Sequence, residues 1–177
     1  MLLVALGLSA NAQDADKNQG LYGIIQLGYV KNSTLVYRYQ SQSTTYDAED
    51  AHVRSINVLM GYYIMPKKLS LGAGFGIDGF RRPDFGTLPL YLDLRYYFTE
   101  KRNTFYARTN YGGYISTGPP FTTKGRYFRL GGGYKAFLTR KLCLNFDISY
   151  APARLTEPNN EYWNINGVAF SLGFVLF

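Results

Sequence analysis

The sequence predicts an all-β fold: an eight-stranded antiparallel up-and-down barrel that crosses a membrane. Three observations lead there. Segments of strict two-residue alternation recur along the chain, and the connections between them are by turns short and long. The composition is rich in tyrosine (17), phenylalanine (12) and glycine (19), yet only 18% of residues are charged. An ordinary soluble domain carries roughly 25%. Nowhere does an apolar run approach the roughly 18 residues of a membrane helix, so any crossing is made by strands.

The alternation is clearest in Thr87–Phe98. Leu88, Leu90, Leu92, Leu94, Tyr96 and Phe98 alternate with Pro89, Tyr91, Asp93, Arg95 and Tyr97. A strand sends these two sets to opposite faces, one leucine-rich and one bearing an acid, a base and tyrosines. A length of about a dozen residues exceeds the usual strand of five or six and suits a tilted membrane strand of roughly 9–11 residues.

In chain order, residues 1–12 are apolar and end in Ala10-Asn11-Ala12, the pattern of a secretory leader with its cleavage site but without a basic start. Residues 13–20 form a short polar segment, expected on the periplasmic side, and residues 21–177 form the barrel. The first strand covers about 21–30, and Thr34–Gln40 prolongs it beyond the membrane within the connection 31–51. The second covers about 53–65 and turns at Pro66-Lys67-Lys68 into the third, about 69–78. There Leu69, Leu71, Ala73, Phe75 and Ile77 alternate with Ser70, Gly72, Gly74, Gly76 and Asp78. Residues 79–86 lead into the fourth strand, 87–98, which turns at 100–103 into the fifth, 104–115. A proline-bearing loop, 116–125, precedes the sixth strand, 126–138. Thr139-Arg140 turns into the seventh, 141–150, whose Leu142, Leu144, Phe146 and Ile148 alternate with Cys143, Asn145, Asp147 and Ser149. The loop 151–164 holds the only tryptophan, and the eighth strand covers 165–177. Short turns at one rim and long loops at the other follow the plan of bacterial outer-membrane barrels, with long loops extracellular and both ends of the barrel domain periplasmic.

A soluble lipocalin-like barrel would reverse the faces, apolar in and polar out. Its polar rows would be rich in Lys, Glu and Thr, whereas here they are mostly Gly, Ser, Asn and Tyr. Its G-x-W signal near the first strand is absent. Aromatics gather at both strand ends: Tyr62, Tyr63, Tyr96, Tyr97, Phe98, Phe105, Tyr106 and Phe137 near the short turns, and Tyr29, Phe80, Tyr114, Tyr127, Phe128, Tyr150 and Trp163 near the long loops. They read as two interfacial girdles.

On the leader, the strand count, the turn rhythm and the terminal Phe177, the chain resembles the small OmpA/OmpX-type outer-membrane barrels of Gram-negative bacteria, the "outer membrane protein β-barrel domain" families. The resemblance covers about 20–177. It implies an integral outer-membrane protein with a structural or interaction role: envelope stabilisation, adhesion, or service as accessory subunit of a larger outer-membrane complex. It also implies that the terminal aromatic is read by the barrel-insertion machinery. One feature departs from the family. Counting back from Phe177 by twos gives Val175, Gly173, Ser171 and Ala169, while Val168, Phe170, Leu172, Phe174 and Leu176 form the stronger face. Either a bulge resets the register, or Phe177 points away from lipid.

An eight-stranded barrel is just wide enough to be filled by its own side chains. The inward rows hold a charge network of Asp93, Arg95, Arg108, Arg129, Lys135 and Asp147, with Gln26, Asn57, Asn110 and Asn145 beside it. Counted outward from the turn at 100–103, Asp93 is expected near Arg108. Bases outnumber acids in this set, so some must be met by tyrosine hydroxyls, backbone carbonyls or water. The alternative is a narrow polar pore.

The net charge of +7 favours anionic partners, phosphate-bearing lipids above all. Nucleic acid is not expected, since no basic helix or clustered basic run appears. Arg81, Arg82, Lys124 and Arg126 are candidate lipopolysaccharide contacts at the long-loop rim. Lys67-Lys68, Lys101-Arg102 and Arg140-Lys141 at the short turns are either solvated or meet inner-leaflet phosphates. No enzymatic activity, metal or cofactor is expected. A lipid A-modifying barrel would need a histidine with a serine and an acid. The only histidine, His52, has Arg54 in place of the H-x-S serine, and Ser55 falls on the opposite face. Cys143 is the only cysteine and cannot form an internal disulfide. Gly131-Gly132-Gly133 lies inside a strand with no helix after it, so it is not a phosphate loop; it either eases barrel curvature or gives the tyrosines room.

Overall fold

The computed structural model describes residues 18–39, 42–81, 84–119, 121–139, 142–156 and 161–177. The leader expected over 1–12, and residues 13–17, lie outside the described residues. Ten strands run in chain order: β1 (Leu21–Tyr39), β2 (Gln42–Tyr46), β3 (His52–Met65), β4 (Leu69–Arg81), β5 (Phe85–Tyr97), β6 (Thr104–Ile115), β7 (Lys124–Phe137), β8 (Leu142–Tyr150), β9 (Ala153–Thr156) and β10 (Tyr162–Leu176). Each of the longer strands pairs antiparallel with its successor along β1-β3-β4-β5-β6-β7-β8-β10. β10 then pairs with β1 from Gly23↔Leu176 to Arg38↔Tyr162 and closes an eight-stranded barrel. The eight strands expected from the alternation are these eight. β2 and β9 are short additions within connections that read as loops in the sequence.

The alternation decides the two surfaces. On β5, Leu92 is 59% exposed, whereas Asp93 is 0% and Arg95 1% exposed. On β4, Phe75 and Ile77 face out while Gly74, Gly76 and Asp78 face in. A water-soluble fold buries its leucines and solvates its charges. This barrel does the reverse, with an apolar outer wall and a polar, charged lumen.

Six of the fifteen aromatic residues expected in the girdles are buried inside, and the girdle expectation is corrected for these. Tyr62, Tyr96, Phe98 and Phe105 are exposed on the outer wall, as are Tyr29 and Tyr150 at the other end. Tyr63, Tyr97, Tyr106, Phe80, Tyr114 and Tyr127 are buried inside. Consecutive aromatics such as 62/63, 96/97 and 105/106 must split between the faces. The inward ones stack into two plugs. At the short-turn end Tyr63 lies 5.3 Å from both Tyr22 and Tyr97, and Tyr97 lies 5.5 Å from Tyr106. At the long-loop end Tyr127 stacks on Tyr91 at 4.8 Å and meets Tyr114 at 5.5 Å. The glycines make this filling feasible: a Cβ at Gly133 would lie 2.7 Å from the Tyr106 hydroxyl oxygen.

The last strand resolves the two alternatives left by its sequence. Its register against β8 runs unbroken from Val168↔Tyr150 to Leu176↔Leu142, so no bulge intervenes. Phe170, Phe174 and Leu176 face out, and Phe177 turns inward to stack on Phe137 at 5.5 Å. A bulge lies instead on β1 between Asn32 and Thr34. It shifts the inward parity from even to odd residues, so that Leu35 is buried. Above it β1 no longer pairs with β3, its last partner there being His52, and takes up β2 from Leu35↔Tyr46.

These facings have a direct test. Leu92→Arg and Phe146→Arg put a charge mid-strand on the outer wall, at a cost of roughly 2–4 kcal/mol in a bilayer, and should cut the folded fraction on refolding into liposomes. Ser149→Ala removes an inward hydroxyl that has no partner among the described residues and should leave that fraction unchanged. The opposite ranking would mean that the wall is turned the other way.

Candidate functional site

The lumen gathers seven buried charged side chains from five strands: Asp78, Asp93, Arg95, Arg108, Arg129, Lys135 and Asp147. Three are acids and four are bases. Each acid organises one cluster.

Asp93 is held by Arg95 two residues along the same strand face, with Nε 2.7 Å from Oδ1 and Nη2 3.2 Å from Oδ2. Asn110 Nδ2, directly across on β6, donates to Oδ2 at 2.6 Å. The fork-on-carboxylate geometry makes this a strong charge-assisted pair. Asn145, with its amide turned to satisfy both ends, accepts from Arg95 Nη1 at 2.8 Å.

Asp147 collects partners from two other strands, β1 and β6. Tyr106 donates its hydroxyl at 2.5 Å and Gln26 its Nε2 at 2.6 Å. Arg108 Nη1 lies 3.1 Å away, near enough for ion pairing but off the hydrogen-bond line. Asp78 forms the loosest cluster, with Arg129 Nη2 at 3.9 Å and the Tyr114 hydroxyl at 3.5 Å.

The fourth base has no carboxylate partner among the described residues. Lys135 Nζ donates to the Tyr63 hydroxyl at 2.5 Å and lies 4.5–5.5 Å from the ring centroids of Tyr63, Tyr97, Phe137 and Phe177. Ring faces are the negative ends of aromatic quadrupoles, so this cage stabilises an ammonium without an acid.

The expected contact between Asp93 and Arg108 is not made. The hairpin closes with Tyr97↔Tyr106, which places Asp93 opposite Asn110 and Arg95 opposite Arg108. The two arginines would repel, and each takes a separate acid: Arg95 takes Asp93 and Arg108 takes Asp147 across the lumen. Asp78, two residues beyond Gly76 on the same inward row and outside the expected charge network, adds a third acid to it. A further row, Ser55, Asp78, Thr87 and Ser171, runs in register on both sides of Gly28. Each of these has a side-chain oxygen without a partner among the described residues.

The outer-rim residues divide into two groups. Arg81 is exposed on β4 and faces His52 on β3. Lys124 and Arg126 are exposed on β7, with Arg126 opposite Arg154 on β9. β4 and β7 are three strands apart, so these residues do not form one site; Arg82 lies outside the described residues. His52 stacks on Tyr29 on the outer wall at 5.4 Å, and Ser55 is buried in the lumen. The two cannot share a reacting group. Among the described residues no cluster of His, Cys, Asp or Glu has the arrangement to hold a metal ion.

The pairing scheme predicts a specific pattern of coupling. Asp93→Ala and Arg95→Ala each strand a buried charge, at a cost of about 3–5 kcal/mol. The double variant should lose less than the sum of the two. Asp93→Ala with Arg108→Ala should be close to additive. Urea unfolding midpoints in liposomes give both cycles, and stronger coupling between Asp93 and Arg108 would refute the partner assignment.

No family model matches the chain, and no curated protein matches it. In fold it is similar to Neisserial surface protein A, at 16% identity and a TM-score of 0.58, over 89% of this chain and 96% of that one. It is likewise similar to outer membrane protein AlkL, solved in lipid bilayers, at 16% identity and a TM-score of 0.57, over 93% of each chain. At such identity the likeness establishes the fold: an eight-stranded antiparallel barrel of the kind found in outer-membrane proteins.

Proposed function

We propose that this chain is an integral outer-membrane barrel of the small OmpA/OmpX type, non-enzymatic, with a structural or interaction role. One observation carries the reading: leucine and phenylalanine cover the outer wall while seven charged side chains are buried inside. Only a surrounding solvent more apolar than the lumen makes that arrangement stable. The lumen argues against conduction as the main task. Its charges are engaged with each other or with rings, and aromatic plugs fill both ends. With His52 outside and Ser55 inside, nothing favours lipid A modification.

In the proposed orientation the long-loop rim faces outward and the short turns face the periplasm, as in bacterial barrels generally. The outer rim then meets the phosphates of lipopolysaccharide. Arg126 and Arg154 lie directly opposite each other, with Lys124 beside them, an arrangement that an anion stabilises. The remaining partners in this reading are outer-membrane lipids, the barrel-insertion machinery during biogenesis, and a larger outer-membrane complex that the barrel joins through its loops.

The protein should fractionate with outer membranes and migrate differently on gels before and after boiling. Protease added to intact cells should cut within the long-loop rim and spare the short turns. Recovery as a soluble periplasmic monomer without detergent would overturn the reading.

A further inference from the structure

At the long-loop rim the barrel wall is incomplete. β2 pairs with β1, and its other edge has no strand partner among the described residues. Between that edge and the β4–β5 hairpin lies a cleft of about 840 Å³. One wall is aromatic: Trp163 and Tyr46 sit 5.5 Å apart, with buried Leu35 behind them. His52 and Arg54 at the top of β3 and Arg81 on β4 line the cleft as well. Asp47 and Asp84 also line the cleft, one at each side.

Over the whole lining Arg54 and Arg81 are matched in number by Asp47 and Asp84, but the bases gather on β3 and β4, with Lys31 next to His52 outside the lining. Lys31, His52 and Arg81 stand in one cross-strand row on β1, β3 and β4. Arg54 lies one pleat below, opposite Tyr29. No ion pair engages Lys31, Arg54 or Arg81 among the described residues. Basic groups held side by side on a sheet repel unless an anion lies between them. The row also marks a boundary. Below Arg54 the outer wall becomes apolar with Ile56 and Ile77, both more than half exposed.

We propose that this cleft binds the phosphorylated sugar headgroup of a glycolipid in the same leaflet. The proposal rests on the membrane reading above, with the long-loop rim outward and a phosphorylated glycolipid as its lipid partner, and adds to it a defined site that reads both sugar and phosphate. Each part of the headgroup has a counterpart. A sugar ring presents apolar C–H faces that pack on Trp163 and Tyr46. Its phosphate meets the guanidinium groups of Arg54 and Arg81, which offer forked donors suited to phosphate oxygens. Asp47 and Asp84 accept hydrogen bonds from sugar hydroxyls and work against a bare anion. The acyl chains descend over Ile56 and Ile77. This differs from a general basic surface, which would take any anionic lipid.

Trp163 is the only tryptophan, so its emission reports this cleft and not the Lys124–Arg126 group. The full chain, folded in zwitterionic detergent and checked for heat-modifiable mobility, is titrated with four probes in mixed micelles: a diphosphorylated disaccharide glycolipid, phosphatidylglycerol, a neutral glycosyl diacylglycerol and free glucose 1-phosphate. Saturable change with the first, at least tenfold tighter than with the others, is expected. Arg54→Ala with Arg81→Ala should weaken it at least tenfold, and Lys101→Ala at the opposite rim should not. Equal response to phosphatidylglycerol would reduce the site to surface charge, and no response to the phosphorylated glycolipid would remove it. Either result stands with the barrel folded in detergent, so it leaves the membrane reading intact. Should the double variant not fold, the ranking of the four probes on the native protein still decides.

Discussion

Three carboxylates and four cations share a lumen too narrow to solvate them, and that imbalance shapes the interior. A charge moved from water into a low-dielectric space must be paired or otherwise compensated. The barrel meets this demand with three acid-centred clusters and one aromatic cage. Each uses a different geometry: a forked pair along one strand at Asp93, a convergence from several strands at Asp147, a long-range contact at Asp78 and ring faces at Lys135. The quality of pairing falls in that order from Asp93 to Asp78, where the arginine stands 3.9 Å away. The interior is thus not uniformly rigid by design. Its tight contacts lie towards the short-turn end and its loose one towards the long loops.

The cage also accounts for the departure at the end of the chain. With Lys135 on the inward row of β7 and no acid beside it, aromatic faces are needed within reach. Phe137 and Phe177 supply two, stacked on each other at 5.5 Å. An outward Phe177 would gain lipid contact and open one side of the cage. Its inward turn and the unbroken register of β10 are therefore one arrangement, and the residues Val168, Phe170, Phe174 and Leu176 are left to form the outer wall.

Much of this was legible in the sequence because strand facing is a local property. Once Leu92 is placed outward, the pleat alone sends Asp93 and Arg95 inward, and the same parity assigns Arg108, Arg129, Lys135 and Asp147. Parity does not select partners. The hairpin register makes Arg95 and Arg108 neighbours, the curvature of the wall brings Asp147 on β8 to Arg108, and closure through β10 and β1 brings Gln26 to Asp147. Parity was also followed too loosely at the rims. Height near a turn was readable for Tyr63, Tyr97 and Tyr106, yet each follows or precedes an outward aromatic and so must face in. The bulge at Ser33 left no parity signal: Leu35 keeps the odd parity of Leu27 and Tyr29 and so reads as outward in the sequence, whereas the register shift turns it inward.

The two rims consequently differ in kind. At the short-turn end the hairpins close directly, Asn18 accepts from the Lys67 backbone N–H and donates its side-chain amide to the Lys101 carbonyl, and the aromatic cage fills the mouth. At the long-loop end the strands continue past closure, and β1 exchanges β3 for β2. A strand that changes partner must leave a gap between the old one and the new, and here the gap opens between β2 and β4. Its walls combine what each strand carries at that height: aromatics from β2 and β10 and outward bases from β3 and β4. By register Tyr46 and Trp163 share the face of buried Leu35, while Arg54 and Arg81 are on the outward face. The change of partner at the bulge is what brings an inward face and an outward face into one cleft.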